Sequence, residues 1–165
     1  MNIWFTSDWH WGHKGQERWR QLMEEQIFER TYSDYLSVVN KHDIVFFLGD
    51  ICWDRQRLLA FHALPGTKVL VRGNHDSLAT KEYLTVFDEV YGLYKYKEFW
   101  LSHAPMHPAE LRGMKNLHGH THAFNMMEND VLSEKEDKRY FNCCLENLWD
   151  KFDHSLVKLD ELRNL

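Results

Sequence analysis

Ile44-Val45-Phe46-Phe47-Leu48 constrains the fold more than any other stretch of this chain. A strand with one wet face alternates apolar and polar residues. One that does not alternate is covered on both faces, as in a sheet sandwiched between other layers. The run stops at Gly49-Asp50, and Asp54 then fits the N-cap of a helix over Arg57 to Phe61. Pro65-Gly66 closes that unit, and Thr67 to Arg72 forms the next strand. Upstream, Ile3 to Ser7 reads as a first strand. From Met23 to Asn40 the apolar residues Met23, Ile27, Tyr35, Leu36, Val38 and Val39 share one broad helical face. Their register breaks near Thr31, so Ser33 or Asp34 is expected to cap a second helix. Strand, helix, strand, helix, strand over the first ~75 residues predicts an α/β fold with a parallel sheet.

The second half is less regular. Lys81 to Phe87 is expected to be a short helix, and Val90–Lys97 with Glu98–Ser102 a strand pair. Met106 to Asn116 and residues 125–139 read as loops. Tyr140 to Leu145 and Ser155 to Leu159 read as strands, and Asp160-Glu161-Leu162 as a last short helix. No repeat or linker interrupts residues 1–165, which are expected to form one domain.

What sets this chain apart is how its strands end. The first runs into Asp8-Trp9-His10, the second into Asp50 and the third into Gly73-Asn74-His75-Asp76. Phe99-Trp100-Leu101-Ser102 leads into His103, and Leu117-His118-Gly119 into His120-Thr121-His122. In open α/β sheets ligands sit beyond the carboxyl ends of the strands. Residues two apart in an extended chain point the same way. On that argument Asp8 pairs with His10, and His120 with His122. Imidazole nitrogens with carboxylate and amide oxygens suit Mn, Fe, Zn, Ni or Co. No cysteine lies in these motifs, unlike a structural zinc knot. Two metals would take about eight protein contacts. Seven residues supply that number if one carboxylate, such as Asp50, is shared through its two oxygens.

Charge and cysteine content narrow the setting. A formal net charge of −5 disfavours a broad nucleic-acid surface, and two divalent cations would leave about −1. Cys52, Cys143 and Cys144 form no disulfide framework, no signal peptide is expected where Met1-Asn2 runs straight into Ile3-Trp4-Phe5, and no apolar run is long enough for a membrane span. A cytoplasmic location is expected.

Taken together, Asp8-Trp9-His10, Gly49-Asp50, Gly73-Asn74-His75-Asp76, His103 and Gly119-His120-Thr121-His122 resemble the five-part signature of calcineurin-like metallophosphoesterases. Essentially the whole chain is covered. The opening Phe5 to Lys14 is similar to that of the small, capless bacterial and phage members. The resemblance implies a four-layer α/β/β/α sandwich with a dinuclear metal site at the C-terminal ends of the strands. It implies that Asp8, His10, Asp50 and His122 hold one metal, and Asp50, Asn74, His103 and His120 the other. His75 would act on the substrate as general acid or charge stabiliser, with Asp76 orienting it. A hydroxide held between the metals would attack a phosphate ester.

Around that frame, His13 and Arg72 are candidate substrate contacts, with loop support the preferred role of Arg72. His107 lies in a loop that could approach substrate. His118 is expected to be structural, and His42 and His62 to lie at the surface. Trp9 and Trp11 could stack on a nucleobase, with packing preferred for Trp9. A chain too short for a cap domain should have an open site. This favours a phosphodiesterase on small or nucleotide-type esters over a phosphomonoesterase, a phosphoprotein phosphatase or a nuclease. A protein-binding scaffold is the contrasting class, and the complete ligand set argues against it.

Overall fold

The computed structural model describes residues 1–128 and 135–164. Part of the loop expected over 125–139 lies outside the described residues. The first sheet contains β1 (Ile3–Thr6), β2 (Ile44–Phe47), β3 (Thr67–Val71), β4 (Glu89–Tyr91) and β9 (Val157–Lys158). Its order is β4-β3-β2-β1-β9, with every pair parallel except antiparallel β1–β9. The second sheet, ordered β5-β6-β7-β8, contains β5 (Leu93–Tyr96), β6 (Phe99–Ser102), β7 (Lys115–His118) and β8 (Tyr140–Asn142).

The uninterrupted apolar run behaves as its composition requires. Val45 and Phe47 face one core with Trp9, Trp11, Ile27, Tyr35, Leu58 and Phe61. There α2 (Glu24–Val38) and α3 (Arg55–Ala60) cover the first sheet. Phe46 and Leu48 face the other core with Phe5, Val69, Phe99, Leu101 and Leu117, where the two sheets stack. Burying such side chains contributes about 1.5–3 kcal/mol each. Trp9 and Trp11 are fully enclosed in the first core and carry no exposed ring for a base.

Four expectations change. The helix over 24–38 is continuous, because Asp34 accepts from Ser155 N and Oγ instead of capping a second helix. A short helix, α1 (Gln16–Arg20), lies in the segment that has no helical pattern. The run from Val90 to Lys97 divides at Gly92. β4 continues the first sheet beside β3, while β5 turns back antiparallel on β6. The strand from Tyr140 stops at Asn142, whose Oδ1 accepts from Cys144 N at 2.9 Å, and α5 (Leu145–Phe152) follows. The short α4 (Thr80–Tyr83) and α6 (Leu159–Arg163) complete the element order, and Asp54 caps α3 through Arg57 N.

Asp43 fastens the edge that starts β1 and β2. Its buried carboxylate accepts from Asn2 N at 2.6 Å, Asn40 Nδ2 at 2.8 Å and Trp4 Nε1 at 3.4 Å. Burial raises its pKa, but the backbone and side-chain donors around it win and hold it below the usual carboxylate value. Asp43→Ala is expected to destabilise the fold by about 2 kcal/mol, read by urea denaturation, because it strands buried donors. A depressed folded pKa gives stability that is present above the unfolded value of about 3.9 and lost as pH falls through the folded one. The difference from wild type should therefore shrink below about pH 4. Among the described residues no helix is long and apolar enough to cross a membrane.

Candidate metal centre

The strand ends meet at one edge of the stacked sheets. Residues 8–11 and 49–51 run side by side, with Asp8 N donating to Gly49 O, His10 N to Asp50 O and Trp11 N to Ile51 O. Asp8 and His10 do not converge by being extended. Both are left-handed, at φ 58° and 51°, as are Asp50 (52°), His120 (71°) and His122 (50°). The extended-chain argument therefore fails for both pairs. Tight left-handed turns aim these side chains instead. Such conformations cost about 1–3 kcal/mol each for non-glycine residues and gather at sites that the surrounding structure over-determines.

Two groups of donor atoms result, Asp8 with His10 and His122, and Asp50 with His103 and His120, the atoms within each lying within 4.8 Å of one another. In the first group, Asp8 Oδ1 is 3.4 Å from His10 Nε2 and 3.9 Å from His122 Nε2. The other oxygen, Oδ2, is occupied by Ser7 Oγ (2.6 Å), His120 N (2.9 Å) and Cys144 Sγ (3.2 Å). Oδ1 and His10 Nε2 are buried with no hydrogen-bond partner. Orphaned buried acceptors of this kind call for a missing partner, and oxygen beside imidazole nitrogen fits a divalent transition metal. In the second group, Asn74 Oδ1 lies 2.9 Å from His103 Nε2 and 3.0 Å from His120 Nδ1, and Asp50 Oδ2 is 3.2 Å from His103 Nε2. His103 Nδ1 donates to Leu48 O at 2.8 Å, which turns Nε2 toward Asn74 and Asp50.

Asp50 joins the groups in an unexpected way. Its Oδ1 accepts from His75 N at 2.8 Å. Oδ2 alone faces both sides, 3.7 Å from His10 Nε2 and 3.2 Å from His103 Nε2. The carboxylates and imidazoles of the two groups compensate one another. Burial raises Asp8 and Asp50, yet the neighbouring histidines pull both carboxylates below their usual range. Burial lowers His103, but Asp50 and Asp8 raise it to about 9.

Two glycines are required by proximity. A Cβ on Gly73 would overlap Asp50 Oδ1 and N, and one on Gly119 would overlap Ser7 Oγ and Asp8 Oδ2. Neither has a positive φ, so Gly73 is needed for close approach and not for the turn itself.

His75 lies outside both groups. Its ring is exposed, 5.7 Å from that of His10 and 5.0 Å from Trp53. Asp76 does not bond it. The buried Asp76 carboxylate accepts from Gly73 N (2.7 Å), Asp50 N (2.9 Å) and Ile51 N (3.0 Å), tying the third strand's loop to the second's. Arg72 holds that same loop through Asp76 O, Leu78 O and Thr80 Oγ1. His13 packs between Trp53 (4.3 Å), Trp19 (5.2 Å) and His75 (6.1 Å). Burial, then His10 and His75, lower its pKa. His107 accepts from Ala109 N and caps a local turn. His118 is buried and pushed down to about 4 by burial.

Sequence reasoning missed Ser7, Cys144, Arg20 and Glu146. Ser7 is adjacent to Asp8 and could have been suspected. Glu146 lies on the helix that was read partly as strand, and no local pattern links it to His122, whose Nδ1 is 3.1 Å from its Oε1.

Known proteins resemble this arrangement. The family model described as calcineurin-like phosphoesterase matches residues 1–154. The gene 66 protein of Mycobacterium phage D29 is 29% identical over an alignment that covers 99% of this chain and 95% of that protein. The gene 66 protein of Mycobacterium phage L5 is 41% identical over 83 residues, which span 46% of this chain and only 40% of that protein. Among solved structures, AQ665 of Aquifex aeolicus, a protein of unknown function, superposes with a TM-score of 0.70 at 25% identity and covers 99% of this chain and 98% of its own.

Proposed function

The chain belongs to the calcineurin-like phosphoesterase family, and from that premise we propose that it is a dinuclear metal-dependent phosphodiesterase acting on small or nucleotide-type esters. A single domain over residues 1–165 carries the activity. The observation that supports this most is the pair of converging donor groups flanking one oxygen of Asp50, with His75 close by but in neither.

In this reading Asp8, His10, Asp50 and His122 hold one divalent cation, and Asp50, Asn74, His103 and His120 the other. Manganese is the first choice, with Fe, Zn, Ni or Co as alternatives. Bound there, the ions would clamp the phosphoryl oxygens and supply an acidified water for in-line attack. The chain's own residues do the rest. His75, anchored by its backbone N–H to Asp50, delivers a proton to the leaving oxygen. Asp76 acts through the backbone, fixing the loops that carry Asp50 and His75. His13, beside His75, is placed to donate to a phosphoryl oxygen. Arg72 keeps its loop in place.

Preference for diesters follows from openness. Asn74, His75 and His120 are exposed, which leaves room beside them for a second ester substituent. Trp19 (42% exposed) and Trp53 (39% exposed) flank His13 and offer aromatic surface to a planar group.

The test is a panel of bis(p-nitrophenyl) phosphate, p-nitrophenyl phosphate, cyclic nucleotides and single-stranded nucleic acid. A kcat/KM at least about tenfold higher on diesters than monoesters, a difference of roughly 1.4 kcal/mol in barrier, is expected. The reverse order would replace the diesterase reading with a monoesterase one. Dialysis against EDTA should reduce hydrolysis to background and Mn²⁺ should restore it. Activity surviving full chelation would remove the metal from the account.

A further inference from the structure

We propose that Glu146 and Arg20 are a positioning pair for the first donor group. Glu146 fixes the ring of His122 so that Nε2 faces Asp8, and Arg20 locks the backbone that carries Asp8. The inference rests on reading that group as a cation site.

Three donors meet on one oxygen. Glu146 Oε1 lies 2.9 Å from Arg20 Nε, 3.1 Å from His122 Nδ1 and 3.2 Å from Trp19 Nε1. An imidazole whose Nδ1–H is donated to a carboxylate presents Nε2 as a lone pair. That atom is the one 3.9 Å from the unpartnered Asp8 Oδ1. Arg20 extends the same contact to a second part of the chain. Its Nη1 donates to Trp9 O (3.1 Å) and Gln16 Oε1 (2.7 Å), and its Nη2 to Asp8 O. Those carbonyls belong to the left-handed turn that aims Asp8 and His10.

The pair thus spans three separate segments: α5 through Glu146, the turn after β1, and His122 beyond β7. The Arg20 side chain is 1% exposed and that of Glu146 15%. Screening by water is therefore weak, and a guanidinium that donates through all three nitrogens in such a place is rigid. In the second group His103 is fixed by the Leu48 carbonyl instead. Neither Arg20 nor Glu146 supplies an atom to either donor group.

The experiment is calorimetric titration of the full, metal-free chain with Mn²⁺ alone. Wild type, Glu146→Ala and Glu146→Gln are compared, the first two also in a His122→Ala background. Glu146→Ala is expected to weaken one of two binding steps about 10–100-fold and leave the other within about twofold. Glu146→Gln retains an oxygen for Nδ1 but no charge for Arg20, and should fall between Ala and wild type, at about threefold or more. In the His122→Ala background the Glu146→Ala loss should shrink to the roughly threefold part that runs through Arg20, because the rest acts through that ring. An unchanged isotherm for folded Glu146→Ala, equal weakening of both steps, or a full loss persisting without His122 would overturn the proposal. Should Glu146→Ala not fold by circular dichroism, Glu146→Gln decides, and wild-type affinity there overturns it. No substrate enters these titrations. A protein that bound two Mn²⁺ but hydrolysed no ester would end the phosphoesterase reading and leave this one intact.

Discussion

Asp50→Asn is expected to strip metal from both donor groups and to lower kcat/KM by about 10³-fold or more, roughly 4 kcal/mol of transition-state stabilisation. The reason is the division of labour between its oxygens. Oδ1 accepts from His75 N, so an asparagine there must place its carbonyl at that position. Its NH₂ then occupies the place of Oδ2, which faces His10 on one side and His103 on the other. A pair of N–H donors aimed at two cation positions repels both. Asp8→Asn makes the contrast. Its carbonyl would take the place of Oδ2, where three donors already sit, and its NH₂ would disturb only the first group. Elemental analysis of the two purified variants should find near-zero metal for the first and about one equivalent for the second. Two equivalents retained in Asp50→Asn would break the idea of a shared oxygen.

His75→Ala is expected to lower kcat by about 10²–10⁴-fold, the range for a lost general acid, with metal content unchanged. Alanine retains the backbone N–H that holds Asp50 Oδ1, so only the ring disappears. That ring is exposed and packs on Trp53 and His13, so the fold should tolerate its loss. The deficit should be largest for alkyl esters, whose leaving oxygens need a proton. It should be small for p-nitrophenyl esters, whose leaving groups do not. Equal deficits on both would mean that His75 stabilises charge and transfers no proton. A fall in metal content would make it a ligand.

Much of the frame was legible because it is written in local pattern. The unbroken run over 44–48 predicts a strand covered on both faces, and the two cores on either side of β2 are that prediction in structure. The strand-end motifs predict where chemistry collects. Their aim was not legible by the same route. Asp8, His10, His120 and His122 are left-handed, a state no periodicity announces; for Asp8 and His10 it goes with the pairing of loops 8–11 and 49–51, and His120 is tied to that turn through its N–H on Asp8 Oδ2. Asp76 was expected beside His75 because the two are neighbours in sequence. Its carboxylate instead answers three backbone amides brought to it by the fold. Glu146 was invisible because its partners are distant in sequence: Arg20 at a separation of 126 and His122 at 24. Asn142 ends β8 through a bond two residues away. That signal is local, but strand propensity in Tyr140 and Phe141 outweighed it.

Anomalous diffraction at the manganese edge, from crystals grown with Mn²⁺, tests the central claim most directly. Two peaks about 3.5–4 Å apart are predicted. Asp50 Oδ2 should lie between them, with Asp8, His10 and His122 on one side, Asn74, His103 and His120 on the other, and the His75 ring bonded to neither. A single peak, two peaks without Asp50 between them, or His75 coordinated to metal would contradict the account.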